Sequence, residues 1–180
     1  MRQILIFMLL STMGFSQNCE NSILDEILQN NDVNQYFQIA LSLNIDELSY
    51  LNTCKSDASF TVFVPGNDVP NESVSTLLSL SSDANLIDYI EYYIYAGEVN
   101  SSNFIIGPLN MMDGNNSNII VTASDDDIDI TINQASITIQ DICACNGVIH
   151  VINDLIWAPS SVNLHNYNNT IELYPNPIKH

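Results

Sequence analysis

The groups in this chain whose chemistry goes beyond packing are four cysteines, one histidine set in an apolar run and one dense cluster of aspartates. Cys19, Cys54, Cys143 and Cys145 allow three disulfide connectivities. Cys143 and Cys145 stand two apart in a strand-like segment, so both point to one face. A bridge between them would be strained. Each is therefore expected to pair with one of Cys19 and Cys54, at Cα separations under about 7 Å. Zinc is the rival reading, because a C-x-C pair plus two distant cysteines has the right ligand count. The spacing suits none of the common zinc fingers, and disulfides fit an exported chain better.

His150 sits between Ile149 and Val151, whereas His165 and His180 lie near the end of the chain. A nucleophile motif such as G-x-S-x-G is missing, and no second histidine lies close enough in sequence to share a metal. His150 therefore reads as a buried side chain donating to a backbone carbonyl, with base or ligand chemistry as the alternative. Asp125, Asp127 and Asp129 are the metal candidates. As an EF-hand loop their run fails, with Ile130 where Gly is needed and Ser136 where the bidentate Glu belongs. Alternation sets Asp127 and Asp129 on the solvent face of a strand. A solvated acidic turn is the favoured reading, and weak extracellular-type calcium binding is the alternative. With no catalytic constellation and no cofactor motif, the chain is expected to be neither an enzyme nor a cofactor carrier.

The elements that must hold these groups are legible from periodicity. Residues 22–31, 33–43 and 45–51 read as short helices or helical turns, with Tyr36, Phe37, Ala40 and Leu41 as the apolar stripe of the second. Residues 61–64 form a β-branched and aromatic strand halted by Pro65-Gly66. Helix resumes over 70–80 and 84–95, the latter capped by Ser82-Asp83, with Leu86, Ile90, Tyr93 and Ile94 facing inward and Gly97 ending it. From Val99 the period becomes alternating, with strands at 119–122, 128–132 and 136–142. After the Asn146-Gly147 turn, residues 148–152 are apolar on both faces and read as a strand buried on both sides. Helices followed by a mostly antiparallel meander make the fold class α+β. The expected core includes Phe63, Val64, Ile90, Ile130, Ile139, Val148, His150 and Ile152.

Composition narrows the partners. Three Lys+Arg stand against 21 Asp+Glu, a formal charge of −18, in a chain of 180 residues that is 46% hydrophobic. That balance argues against nucleic acid and anionic membranes, which need clustered basic groups. Residues 1–16 read as a signal peptide: Arg2, an apolar run over 4–10, then Gly14-Phe15-Ser16 as the cleavage site. Nothing later is long enough to insert in a membrane. Residues 17–159 are the expected domain, and 160–171 a polar linker.

Two stretches, TVFVPGND at 61–68 and NGVIHVINDLIWAP at 146–159, resemble the two signature segments of fasciclin-type adhesion domains. EYYIYAGEV at 91–99 and LNMMDGNNSNIIVT at 109–122 fall where that family has its intervening segments. The resemblance covers about residues 20–159 and implies helices packed on a wedge of two β-sheets. It marks Thr61, Pro65, Asn67, Asp68, Asn146, Gly147 and His150 as structural motif positions. It also implies adhesion, through protein or glycan contacts at a cell surface or matrix; a small-ligand or calcium-binding extracellular protein is the alternative. Two positions depart from the family pattern. Tyr93 stands where the family often has the His of a Tyr-His motif linked to integrin binding, and Gly66 replaces the usual Thr. Integrin-type recognition is therefore not carried over. Residues 172–180, ELYPNPIKH, resemble the opening of the C-terminal sorting domain of the type IX secretion system of Bacteroidetes. Secretion or cell-surface display is the localisation this implies.

Overall fold

A computed structural model of the chain describes residues 19–156, apart from 55–57, 81–82, 105 and 124–127. Ser22 caps helix α1 (Ile23–Gln29), its hydroxyl accepting the N–H of Asp25 at 3.1 Å. Asp25 and Glu26 occupy the first turn, where the helix dipole favours carboxylates. Asn34 caps α2 (Gln35–Leu43), accepting from Tyr36 N–H at 3.0 Å. Each helix buries one side only: Ile23, Leu24 and Ile27 on α1, and Phe37, Ala40 and Leu41 on α2. A 3-10 turn, Ser49–Asn52, then leads to β1 (Phe60–Pro65), α3 (Asn71–Leu80), α4 (Asp83–Glu91) and β2 (Ile94–Ala96). The rest is strand: β3 (Gly107–Asn110), β4 (Asn116–Ala123), β5 (Ile128–Ile132), β6 (Ala135–Ala144) and β7 (Gly147–Ile152).

The strands form one sheet in the order β2-β1-β7-β6-β5-β4-β3. Neighbours run antiparallel except β1 and β7, which pair in parallel from Phe60↔Gly147 to Pro65↔Ile152. All six residues of β7 are buried, which explains its apolar character on both faces. β6 joins two halves of the sheet. Its start pairs with β5, and its length pairs with β7 through register shifts between Ile137 and Ile142. Such bulges bend a strand and increase its twist. The sheet curls until its ends meet: Tyr95 of β2 bridges to Met111 just past β3, and Met112 N–H donates to Ile94 O at 2.8 Å. That contact partners part of the β2 edge. The architecture is α+β, a curled sheet with short helices.

Phe63, Val64, Ile90, Ile130, Val148, His150 and Ile152 are all buried. Three expectations are corrected. The helix expected over 84–95 ends at Glu91, and Ile94–Ala96 is strand β2 instead. Ile94 and Tyr95 pair with Val62 and Thr61, so tertiary pairing overrides the helical period. Tyr36 is exposed rather than part of the buried stripe of α2. Ile139 is only half-buried, because the register shifts on either side of it break the alternation of β6.

Candidate functional site

The residues of the second signature segment lie in two places, the turn before β7 and the middle of β7. Asn146 is buried, and its side chain is fully engaged. Its Oδ1 accepts the N–H of Ile23 at the start of α1 at 2.8 Å, and its Nδ2 donates to Leu51 O at 2.8 Å. Its own carbonyl accepts from Phe60 N–H at 3.0 Å, so one residue joins α1, the 3-10 turn and β1. Gly147 follows at φ +147, where a Cβ would lie 1.9 Å from the carbonyl oxygen of Phe60. Only glycine permits that approach of two backbones.

The cysteines secure the same end of the sheet. Cys19 bonds to Cys143 across 124 residues and Cys54 to Cys145 across 91, with Cα separations of 5.4 and 5.3 Å. Cys145 N–H also donates to Asn21 O at 2.8 Å. The C-x-C segment at the end of β6 thus holds both the segment ahead of α1 and the segment ahead of β1. In the chain-entropy model each loop of this size stabilises by about 4–5 kcal/mol, with a smaller joint effect because the loops overlap. All four cysteines are thereby bonded, and among the described residues no group of three or more His, Cys, Asp or Glu could hold a metal ion.

His150 occupies the second place, with 0% exposure. Its Nε2 lies 2.9 Å from Val99 O, and its Nδ1 lies 3.3 Å from the backbone nitrogen of Asp141. A carbonyl can only accept and an N–H can only donate, so the ring is the neutral Nε2–H tautomer. Burial holds its pKa below the ordinary histidine value, against the opposing pull of the Val99 carbonyl and the Asp141 carboxylate. Phe63 and Phe104 flank the imidazole, at ring-centre distances of 5.5 and 5.0 Å. Asp141 takes φ +57 in the irregular part of β6, and its carboxylate accepts from the N–H of Ser101 at 2.7 Å and from the Ser101 hydroxyl. Thr61 completes the set, donating to Gly97 O at 2.8 Å and accepting from Val99 N–H at 2.9 Å. Together these groups pin residues 97–101 onto the sheet. Neither nitrogen of His150 is available to a substrate proton or a metal.

The first signature segment is structural in the same way. Pro65 O accepts Asn34 N–H at 2.8 Å, Gly66 N–H donates to Ile152 O at 2.8 Å, and Asn67 N–H donates to Asp32 O at 3.1 Å. A Cβ on Gly66 would stand 2.8 Å from a Val151 methyl carbon, which accounts for glycine at that position. Asp68 is exposed. Asp125 and Asp127 lie outside the described residues, and the backbone of Asp129 pairs with Thr122 of β4. Sequence reasoning did not single out Asn34, Ser101 or Asp141. Asn34 caps α2 while its Nδ2 donates to Val69 O at 2.9 Å, and an Asn just ahead of an apolar period was the available signal.

The fasciclin domain model matches residues 23–159. The chain belongs to the fasciclin domain family. A FAS1 domain pair from the insect cell adhesion molecule fasciclin I has the same fold, at TM-score 0.61 and 15% identity, over 76% of this chain. Protein sll1483 of Synechocystis sp. is 29% identical over 108 residues, 58% of this chain. The chain spans 58% of the Synechocystis protein and 51% of the insect chain. Fasciclin domains are adhesion-type extracellular modules, generally without enzymatic activity, and two disulfides are consistent with export. In this fasciclin domain Tyr93 is fully buried. Its ring packs on Phe37, and its hydroxyl bonds Ile156 N–H at 3.1 Å.

Proposed function

We propose that the chain is an exported fasciclin-type module that works by contact with a protein or glycan at a cell surface or in an extracellular matrix. One observation carries this reading: the buried polar signature residues Thr61, Asn146 and His150 are taken up by architecture. His150 bonds two backbone groups out of solvent, and Asn146 bonds α1 and the 3-10 turn. What is left to act is the outer surface of a rigid, doubly cross-linked scaffold. The insect fold relative is a cell adhesion molecule, which supports the same class of role. Export is supported by the leader-like residues 1–16 and by the disulfides, and the YPNP element points to a type IX route. The formal charge of −18 disfavours nucleic acid and anionic lipid as partners.

The test is attachment of the labelled, oxidised domain to intact cells and isolated matrix of the native source. Saturable binding, competed by unlabelled domain and lost after protease or glycosidase treatment of the surface, is the expected result. Binding that neither saturates nor responds to competitor would overturn the reading.

A further inference from the structure

Helix α2 differs from its neighbours. Its sequence, QYFQIALSL, carries no charge, whereas α1, α3 and α4 each carry carboxylates. Phe37, Ala40 and Leu41 face the core, and beside exposed Gln35 and Ser42 the outward side carries an apolar strip. Tyr36, Ile39 and Leu43 are 39%, 44% and 77% exposed. At positions i, i+3 and i+7 they share one helical face. Ile45, 42% exposed, continues the apolar surface beyond the helix. Carboxylates bracket this strip, with exposed Asp32 ahead of it and exposed Asp46 and Glu47 behind it. Arg2, Lys55 and Lys179 are the chain's only Lys and Arg residues, and all lie outside the described residues. Among the described residues, therefore, nothing cationic offsets the carboxylates at either end.

We propose that the outer face of α2 is a docking strip for a basic, apolar-anchored segment of a partner protein. This rests on the reading of the chain as a contact module. The nine residues of α2 span about 13–14 Å, which matches apolar anchors at i, i+3 or i+4, and i+7 of a partner helix. Lys or Arg at either end of that helix would meet Asp32 and the Asp46-Glu47 pair. Charge decides against a second copy as the occupant. Two strips face to face would bring like carboxylates together at both ends, on chains of formal charge −18.

The test uses the full oxidised chain and two labelled synthetic helices of equal charge, followed by fluorescence anisotropy. One has Leu at i, i+4 and i+7 with Lys at both ends; the other has Ser in place of each Leu. The Leu helix should bind at least tenfold more tightly than the Ser helix. Leu43→Ser should weaken it about tenfold without lowering the melting temperature, since that side chain is 77% exposed. Asp46→Asn with Glu47→Gln should weaken it severalfold at low salt and little at high salt. Equal binding of the two helices, or indifference to Leu43→Ser, would show diffuse attraction to an acidic surface and end the proposal. So would a wild-type dimer in sedimentation that Leu43→Ser dissolves. Attachment to native matrix that survives Leu43→Ser would refute the strip while leaving the contact-module reading standing.

Discussion

The side-chain oxygen of Asn146 accepts the backbone N–H of Ile23 at 2.8 Å, joining residues 123 apart in the chain. The same side chain donates to Leu51 O at 2.8 Å. Asn146→Ala leaves a buried donor and a buried acceptor without partners, at about 1–3 kcal/mol each. We predict a loss of about 2–4 kcal/mol in denaturant unfolding of the oxidised protein, read as a lower midpoint at unchanged slope.

Gly147 gives a sharper contrast. Gly147→Ala forces a Cβ to within 1.9 Å of Phe60 O at φ +147, whereas the Cβ of Gly114→Ala at φ +84 meets open space. Both carry the backbone cost of positive φ, about 1–2 kcal/mol, and only the first carries the clash. Gly147→Ala should fail to give soluble folded protein or lose more than about 3 kcal/mol. Gly114→Ala should melt cooperatively, with a loss near 1–2 kcal/mol. Thermal melts of the two variants side by side check this.

The disulfides predict a defined peptide map. Digestion of the non-reduced protein should link Cys19 to Cys143 and Cys54 to Cys145. Replacing Cys54 and Cys145 together by Ser should cost about 2–5 kcal/mol of unfolding free energy.

His150 makes stability depend on pH in a definite direction. Burial lowers its folded-state pKa below the 6.5 of the unfolded chain, so the unfolded state binds the extra proton first. Its contribution is therefore fully present above pH 6.5 and lost as pH falls through that value toward the folded pKa, at up to about 1.4 kcal/mol per unit. Glu91 acts in the opposite sense. Partial burial, together with Asp88 and Asp113, raises its carboxyl pKa, so its unfavourable contribution fades as pH falls. Comparing wild type with His150→Gln isolates the histidine. The difference in unfolding free energy between them should shrink as pH falls from 7 to 5.

Much of the fold was legible because burial writes a local signature. The run of β7, the Pro65-Gly66 stop and the cap at Ser22 each follow from residue type. Long-range pairing was not legible. Ile94 and Tyr95 continue the helical period of α4, yet they form β2 because Val62 and Thr61 offer strand partners. Nothing local announces that β1 lies parallel to β7, or that β6 shifts register near Ile139. The place of Asp141 depends on that irregularity and on Ser101, 40 residues away, so it has no sequence signature of its own. His150 was readable as a buried donor to a carbonyl, but its second bond, from Asp141 N–H, was not.

The signature histidine is architecture, neutral and closed to solvent, which leaves function to the surface. Nitrogen-15 NMR of the His150 ring across a pH titration tests this most directly. The expected result is a neutral Nε2–H tautomer at pH 7 that does not titrate at the ordinary histidine pKa and takes up its proton only at lower pH, as the fold weakens. A ring that titrates near pH 6.5 while the protein stays folded, or that carries its proton on Nδ1 at pH 7, would contradict it.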